Sequence, residues 1–143
     1  MARDDNGDHN IPKLIWFAFE PLVTSDPERA IKLAKKSKIN LLSEYIARRL
    51  IDANELSALA SGIQSHSKGR ASMMKGMRDG LEGLSDIEPP NNWEEVYATL
   101  KGDKRVSEAA TEIAQQFGDI EATMQLIATL NDKKESIDKR RDA

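Results

Sequence analysis

The groups that could do chemistry in this 143-residue chain are few: two histidines, His9 and His66, no cysteine, and carboxylates and cations in near balance, 24 against 21. Both histidines stand in polar stretches that read as exposed, a poor setting for a general base or a metal ligand. Without a thiol the chain cannot form a disulfide, a thiolate metal site, a cysteine nucleophile or a covalent haem linkage. Carboxylate pairs such as Glu94 with Glu95, or Asp5 with Asp8, read as solvated charge. No Gly-rich phosphate loop, nucleophile elbow or His-Glu-x-x-His motif is present. The residues therefore point to a chain without catalysis.

Two charged constellations remain. Glu20 lies on an apolar helix and Arg48 and Arg49 on another, so packing of the two would bring a carboxylate to a guanidinium and fix their register. The alternative is an arginine pair presented to an anionic partner. Lys32, Lys35, Lys36 and Lys38 cluster near the end of a short helix, where cations suit the exposed carbonyls. A phosphate-binding patch is the alternative, but no aromatic or Gly-rich loop is interleaved with the lysines.

The elements that must position these groups are helices. Ile11, Leu14, Ile15, Ala18, Phe19 and Leu22 share one helical face, with Asn10 as N-cap and Pro12 in the first turn. Trp16 and Phe17 lie off that face. A helix apolar on more than one side is central or meets a partner, which makes Trp16 and Phe17 the candidate interface. Pro21 is expected to end or bend it. Asp26 caps a second helix, opened by Pro27 and Glu28 and running to about Lys36. Leu41, Leu42, Tyr45, Ile46 and Leu50 make a third. Leu56, Leu59, Ala60 and Ile63 make a fourth from near Asn54, and the two read as a hairpin.

After a polar turn over 64–68, Met74, Met77, Leu81 and Leu84 resume an apolar stripe that carries Gly76, Gly80 and Gly83. Each glycine costs about 1 kcal/mol against alanine in a helix, so close approach of a second helix is the expected compensation, a partly unwound segment the alternative. The stretch Asp86-Ile-Glu-Pro-Pro-Asn-Asn92 breaks the helical pattern and reads as a linker. Trp93, Val96, Tyr97 and Leu100 form the next face. Val106, Ala109, Ala110, Ile113 and Phe117 follow between Asp103 and Gly118, then a tight turn at Gly118-Asp119 and a helix over 120–130. Leu100-Lys-Gly-Asp-Lys-Arg-Val106 is echoed by Leu130-Asn-Asp-Lys-Lys-Glu-Ser-Ile137, a period of about thirty residues that suits stacked helical hairpins.

The reading is all-α: a HEAT-like, right-handed α–α superhelical stack of about seven or eight helices. Residues 1–10 form a polar leader expected to be disordered, 11–143 a single domain with its linker near 86–92, and 132–143 the opening of a repeat cut short. The start is not a secretory signal, and no apolar run is long enough to cross a bilayer. A net charge of −3 offers no broad field for nucleic acid. A basic ridge of Lys32, Lys35, Lys36, Arg48 and Arg49 keeps nucleic-acid binding as a third reading.

Taken in order, Ile15-Trp-Phe-Ala-Phe-Glu-Pro-Leu22, Tyr45-Ile-Ala-Arg-Arg-Leu50, Met77-Arg-Asp-Gly-Leu81 and Phe117-Gly-Asp119 resemble the helical-repeat middle of the large haem-binding proteins of planctomycetes and their relatives. The likeness covers nearly everything after Asn10. In that family an N-terminal propeller of the sugar-dehydrogenase type precedes the helical segment, and a c-type cytochrome domain with a Cys-x-x-Cys-His site follows it. The resemblance implies a non-catalytic scaffold or docking segment of a larger exported electron-transfer protein, in the periplasm or cell envelope. Its partners would be neighbouring domains or another protein, with weak self-association of the isolated piece. The positions that carry over are Trp16, Glu20, Arg48, Arg49 and the stretch from Met77 to Gly83. This chain departs from the family in lacking the propeller and any cysteine, so no cofactor is expected here, and haem only in the parent's separate cytochrome domain. A stand-alone adaptor for a protein or peptide is the rival reading.

Overall fold

Local punctuation sets most helix boundaries in the computed structural model, which describes residue 8 and residues 10–118. Seven α-helices and no strand are found among the described residues: α1 Ile11–Ser25, α2 Pro27–Lys36, α3 Asn40–Asp52, α4 Leu56–Ser65, α5 Arg70–Leu81, α6 Trp93–Lys101 and α7 Ser107–Gln116. The architecture is all-α. The helix expected over 120–130, the shortened repeat over 132–143, the echo through Leu130 and Ile137, and His9 lie outside the described residues, as does most of the polar leader.

Several ends follow the local chemistry. The Asp26 carboxylate accepts a hydrogen bond from the Arg29 N–H at 3.0 Å, with Pro27 in the first turn. Asn54 takes a left-handed conformation, φ 60°, and ends α3, and the Glu55 N–H reaches back to the Leu50 carbonyl at 2.8 Å. Asn54 thus closes α3, whereas α4 begins at Leu56. Residues 82–92 carry no helix and form the link to α6, as the paired prolines dictate.

Four local expectations are corrected. Asn10 holds the N-cap position but its side chain makes no capping hydrogen bond; Asp8 Oδ1 instead accepts from the Asn10 and Ile11 N–H groups at 2.7 and 2.8 Å. Pro21 does not end α1, which runs on to Ser25, because the missing N–H deprives only the Phe17 carbonyl, and both residues lie on the exposed side where water can serve it. Leu84 leaves the α5 stripe and is exposed, since the helix stops at Leu81 and Gly83, φ 78°, turns the chain. The segment from Asp103 to Val106 is a turn, and α7 starts only at Ser107.

The helices form two layers. Helix α3 packs between α1 and α5, and α5 between α3 and α7, while α2, α4 and α6 make the second row in the same alternating way. The third helix touches α1 and α5 more than it touches α4, and α4 touches α6 more than it touches α3, so the expected hairpin is not the main packing unit. Between the rows lies one continuous core that includes Ile46, Leu50, Leu59, Ile63, Met73, Met77, Leu100 and Ile113. Each such side chain contributes about 1.5–3 kcal/mol by leaving water. Ser43, buried on α3, donates to the Ala34 carbonyl at 3.1 Å and ties the first turn of α3 to the last of α2.

The tightest approach is between α3 and α5. A Cβ on Gly76 would press into the Glu44 carbonyl oxygen and come within 2.8 Å of Glu44 Cα and 2.9 Å of the Ala47 methyl. At Gly80 the obstacle is softer, the Ile51 Cδ1 at 2.8 Å. Close approach therefore accounts for these two glycines, whereas Gly83 lies beyond the helix with nothing near it. Gly76→Ala is expected to destabilise by about 1–3 kcal/mol or more through overpacking against backbone. Gly80→Ala should cost less, and Gly102→Ala, which meets only the Thr99 carbonyl at an ordinary 3.6 Å, should stay within about 0.5 kcal/mol. Urea denaturation of the three variants checks the order.

Candidate functional site

Helix α1 is apolar on two opposite sides. Its inner side carries Pro12, Ile15, Trp16, Phe19 and Val23, all buried or half-buried, with the Trp16 and Tyr45 rings 5.4 Å apart. Its outer side carries Leu14, 66% exposed, Phe17, 72% exposed, and the exposed Ala18 and Pro21. These four follow i, i+3, i+4, i+7 spacing, about half a turn round from the inner set. The predicted inner face is thus corrected: Leu14 and Ala18 point outward, and Trp16 belongs to the core side. Of the two candidate interface residues, Phe17 is free to meet a partner and Trp16 is taken up against Tyr45. With apolar residues on both sides, periodicity alone could not choose which would be covered.

Glu20 also lies on the flank of α1 that meets α3. Its Oε1 stands 3.0 Å from Arg49 Nε, an ionic contact in which the N–H is not aligned for a hydrogen bond. Both side chains are partly exposed, so the pair is worth about 0–1 kcal/mol and mainly sets register. Arg48 is exposed on α3 and joins no ion pair among the described residues. The arginine pair is therefore split between two roles. The proposed basic ridge is divided as well: Arg48 and Arg49 lie in the α1, α3, α5 row, and the lysines on α2.

A stronger polar centre was not visible in the sequence. Arg70, 9% exposed at the start of α5, donates from Nε to the Ile63 carbonyl at 3.0 Å and from Nη2 to the Gln64 carbonyl at 2.8 Å. Its Nη1 reaches Asp103 Oδ2 at 2.9 Å. One guanidinium thereby serves two carbonyls in the last turn of α4 and holds the turn between α6 and α7. Asp103 also accepts from Arg105, through Nε at 3.0 Å, Nη2 at 2.8 Å and the backbone N–H at 3.2 Å. Arg70 was hidden because it follows a glycine turn and its carboxylate partner lies 33 residues away.

Two cavities are lined by side chains of interest. The larger, about 620 Å³, is walled by Pro89, Pro90, Trp93, Tyr97 and Lys101 among others. The Trp93 and Tyr97 rings stack at 6.0 Å, and Phe117 meets the Trp93 ring edge-on at 4.9 Å. The smaller, about 310 Å³, runs between α2 and α4. No cluster of three or more His, Asp or Glu side chains able to hold a metal ion is found among the described residues. His66 is exposed with its Nδ1 3.2 Å from the adjacent Ser65 Oγ, and Glu94 and Glu95 are exposed on α6. No described helix is long and apolar enough to cross a membrane. No family model, curated protein or solved structure matches the chain.

The Asp103 carboxyl is held well below the usual carboxylate range, first by the Arg105 side chain and then by its backbone N–H, against desolvation, with a further hydrogen bond from Arg70. A carboxylate with a depressed pKa stabilises the fold above its unfolded value of about 4 and loses that contribution as pH falls through the folded value. Asp103→Asn is therefore expected to lower the melting temperature at pH 7, with the deficit against the parent shrinking below about pH 4. Thermal melts across that range check it; an unchanged melting temperature at pH 7 would show that the joint is not stabilising.

Proposed function

We propose that this chain is a non-catalytic helical scaffold whose α1 face docks a further helix, continuing the row α1, α3, α5, α7. The observation that carries the reading is the exposed stripe of Leu14, Phe17, Ala18 and Pro21, turned away from α3. Within the row each inner helix has a neighbour on both sides, and the outer side of α1 has the apolar spacing of a helix-packing face. Polar partners in successive helices of a row lie about thirty residues apart: Glu44 with Lys75, Arg78 with Glu112, Lys35 with Ser65, and Gln64 with Glu95. Such a spacing suits the stacked repeat read from the sequence, in which each unit leaves a face for the next.

The wider setting, a helical segment within a larger exported haem-containing electron-transfer protein, rests on the resemblance of the four quoted motifs. Haem would then belong to the parent's cytochrome domain, and the helix that covers α1 would come from a neighbouring domain. An antibody to this domain, used to blot fractions of the native host with haem staining in the same lane, tests that setting. A large haem-positive band outside the cytoplasm supports it, whereas a haem-free cytosolic band near 15.9 kDa favours the stand-alone adaptor.

The docking face has its own test. A photo-crosslinking phenylalanine at position 17 in the native host is expected to give an adduct that maps to a helical segment, and Phe17→Asp at the same time should leave stability within about 0.5 kcal/mol. Failure to crosslink at position 17, or a loss of stability in Phe17→Asp comparable with that of a core variant, would overturn the docking role.

A further inference from the structure

The cleft between α2 and α4 gathers cationic and hydroxyl donors whose capacity the fold uses only in part. Its walls are Glu28, Ile31, Lys32 and Lys35 on α2, and Ala58, Ser61, Gly62 and Ser65 on α4. Gly62 forms its floor, where an added Cβ would fall 2.7 Å from the Ile31 Cγ2. Lys35 Nζ donates to Ser65 Oγ at 3.0 Å, which commits one of its three N–H groups and holds the ammonium over the cleft. Lys32 makes no hydrogen bond or ion pair among the described residues. Ser61 Oγ accepts from Asn92 Nδ2 at 2.7 Å, so its own O–H remains free to donate.

We infer that the Lys35 end of this cleft binds a phosphate group, through the Lys32 and Lys35 ammonium groups and the Ser61 hydroxyl. Helix-end electrostatics account for Lys35 and Lys36 in the last turn of α2 but not for Lys32, which precedes that turn, nor for the Lys35 side chain's reach to Ser65 on another helix. Burial, and after it the charge of Lys32, push the Lys35 ammonium's pKa down. An anion seated between the two lysines relieves that repulsion. Glu28, the acidic group on the cleft wall, stands a turn before Lys32 and confines the anion to the far end. The volume, about 310 Å³, is that of a small ligand site.

The test is a titration of the whole chain with inorganic phosphate and, separately, with phosphoserine, followed by amide and lysine Nζ NMR, with chloride at matched ionic strength as the reference. Saturable shifts confined to α2 and to residues 58–65, weakened about tenfold or more in Lys35→Gln and in Ser61→Ala but unchanged in Lys36→Gln, are expected. Saturation by inorganic phosphate assigns the site to the free ion, and saturation by phosphoserine alone assigns it to a monoester. Absence of saturable shifts with both anions, or equal weakening by Lys36→Gln, overturns the inference, the latter by showing only a diffuse basic surface. An unchanged amide spectrum outside the cleft keeps loss of binding in the variants distinct from loss of fold.

Discussion

The approach of α5 to α3 at Gly76 is the constraint on which the rest of the stack depends. With a side chain there, the Glu44 backbone could not lie where it does, and Ala47 would have to withdraw. Met73 and Met77, one turn before and close after the glycine, are completely buried against that contact. The glycine is unfavourable in an isolated helix by about 1 kcal/mol, and dispersion and burial across the contact offset that loss. Along its edge Lys75 pairs with Glu44, which keeps the two helices in one register.

Register between α3 and α5 in turn decides where α5 begins, and so where Arg70 stands. From that position its guanidinium meets the end of α4 on one side and Asp103 on the other, so three separate stretches of chain converge on one side chain. At the opposite end of α5, Gln116 of α7 donates to the Leu81 carbonyl and lies 3.5 Å from the Leu84 carbonyl. Helix α5 is thus held at both ends by groups more than thirty residues away. Buried backbone carbonyls at helix ends need such partners, and here they come from the next helix of the stack or from the turn before it.

Two surfaces are left with unmet demands by this arrangement. The outer side of α1 has apolar area with no neighbour among the described residues, and in the α2 and α4 cleft Lys32 has no partner among them while Lys35 has Ser65 alone. They lie in different rows, and they are open for different reasons: one lacks packing, the other lacks charge compensation. The stacked Trp93 and Tyr97 rings add a third apolar surface, occupied in part by Phe117.

Helix existence and most helix boundaries were legible in the sequence because they depend on nearest neighbours: Asp26 before Pro27, the paired Pro89 and Pro90, and Gly118 with its positive φ. The pairing of Glu20 with an arginine on the third helix was also legible, though not that Arg49 rather than Arg48 makes it, which turns on about 100° of helix rotation. Which side of α1 is covered, the role of Arg70 and the convergence of Lys35 with Ser65 could not be read, because each depends on groups about thirty residues apart in sequence. The sequence by itself determined an all-α chain, the Asp26 cap and the lack of thiols. Only the tertiary structure decided which faces meet, since apolar periodicity specifies that a face is buried but not what it is buried against.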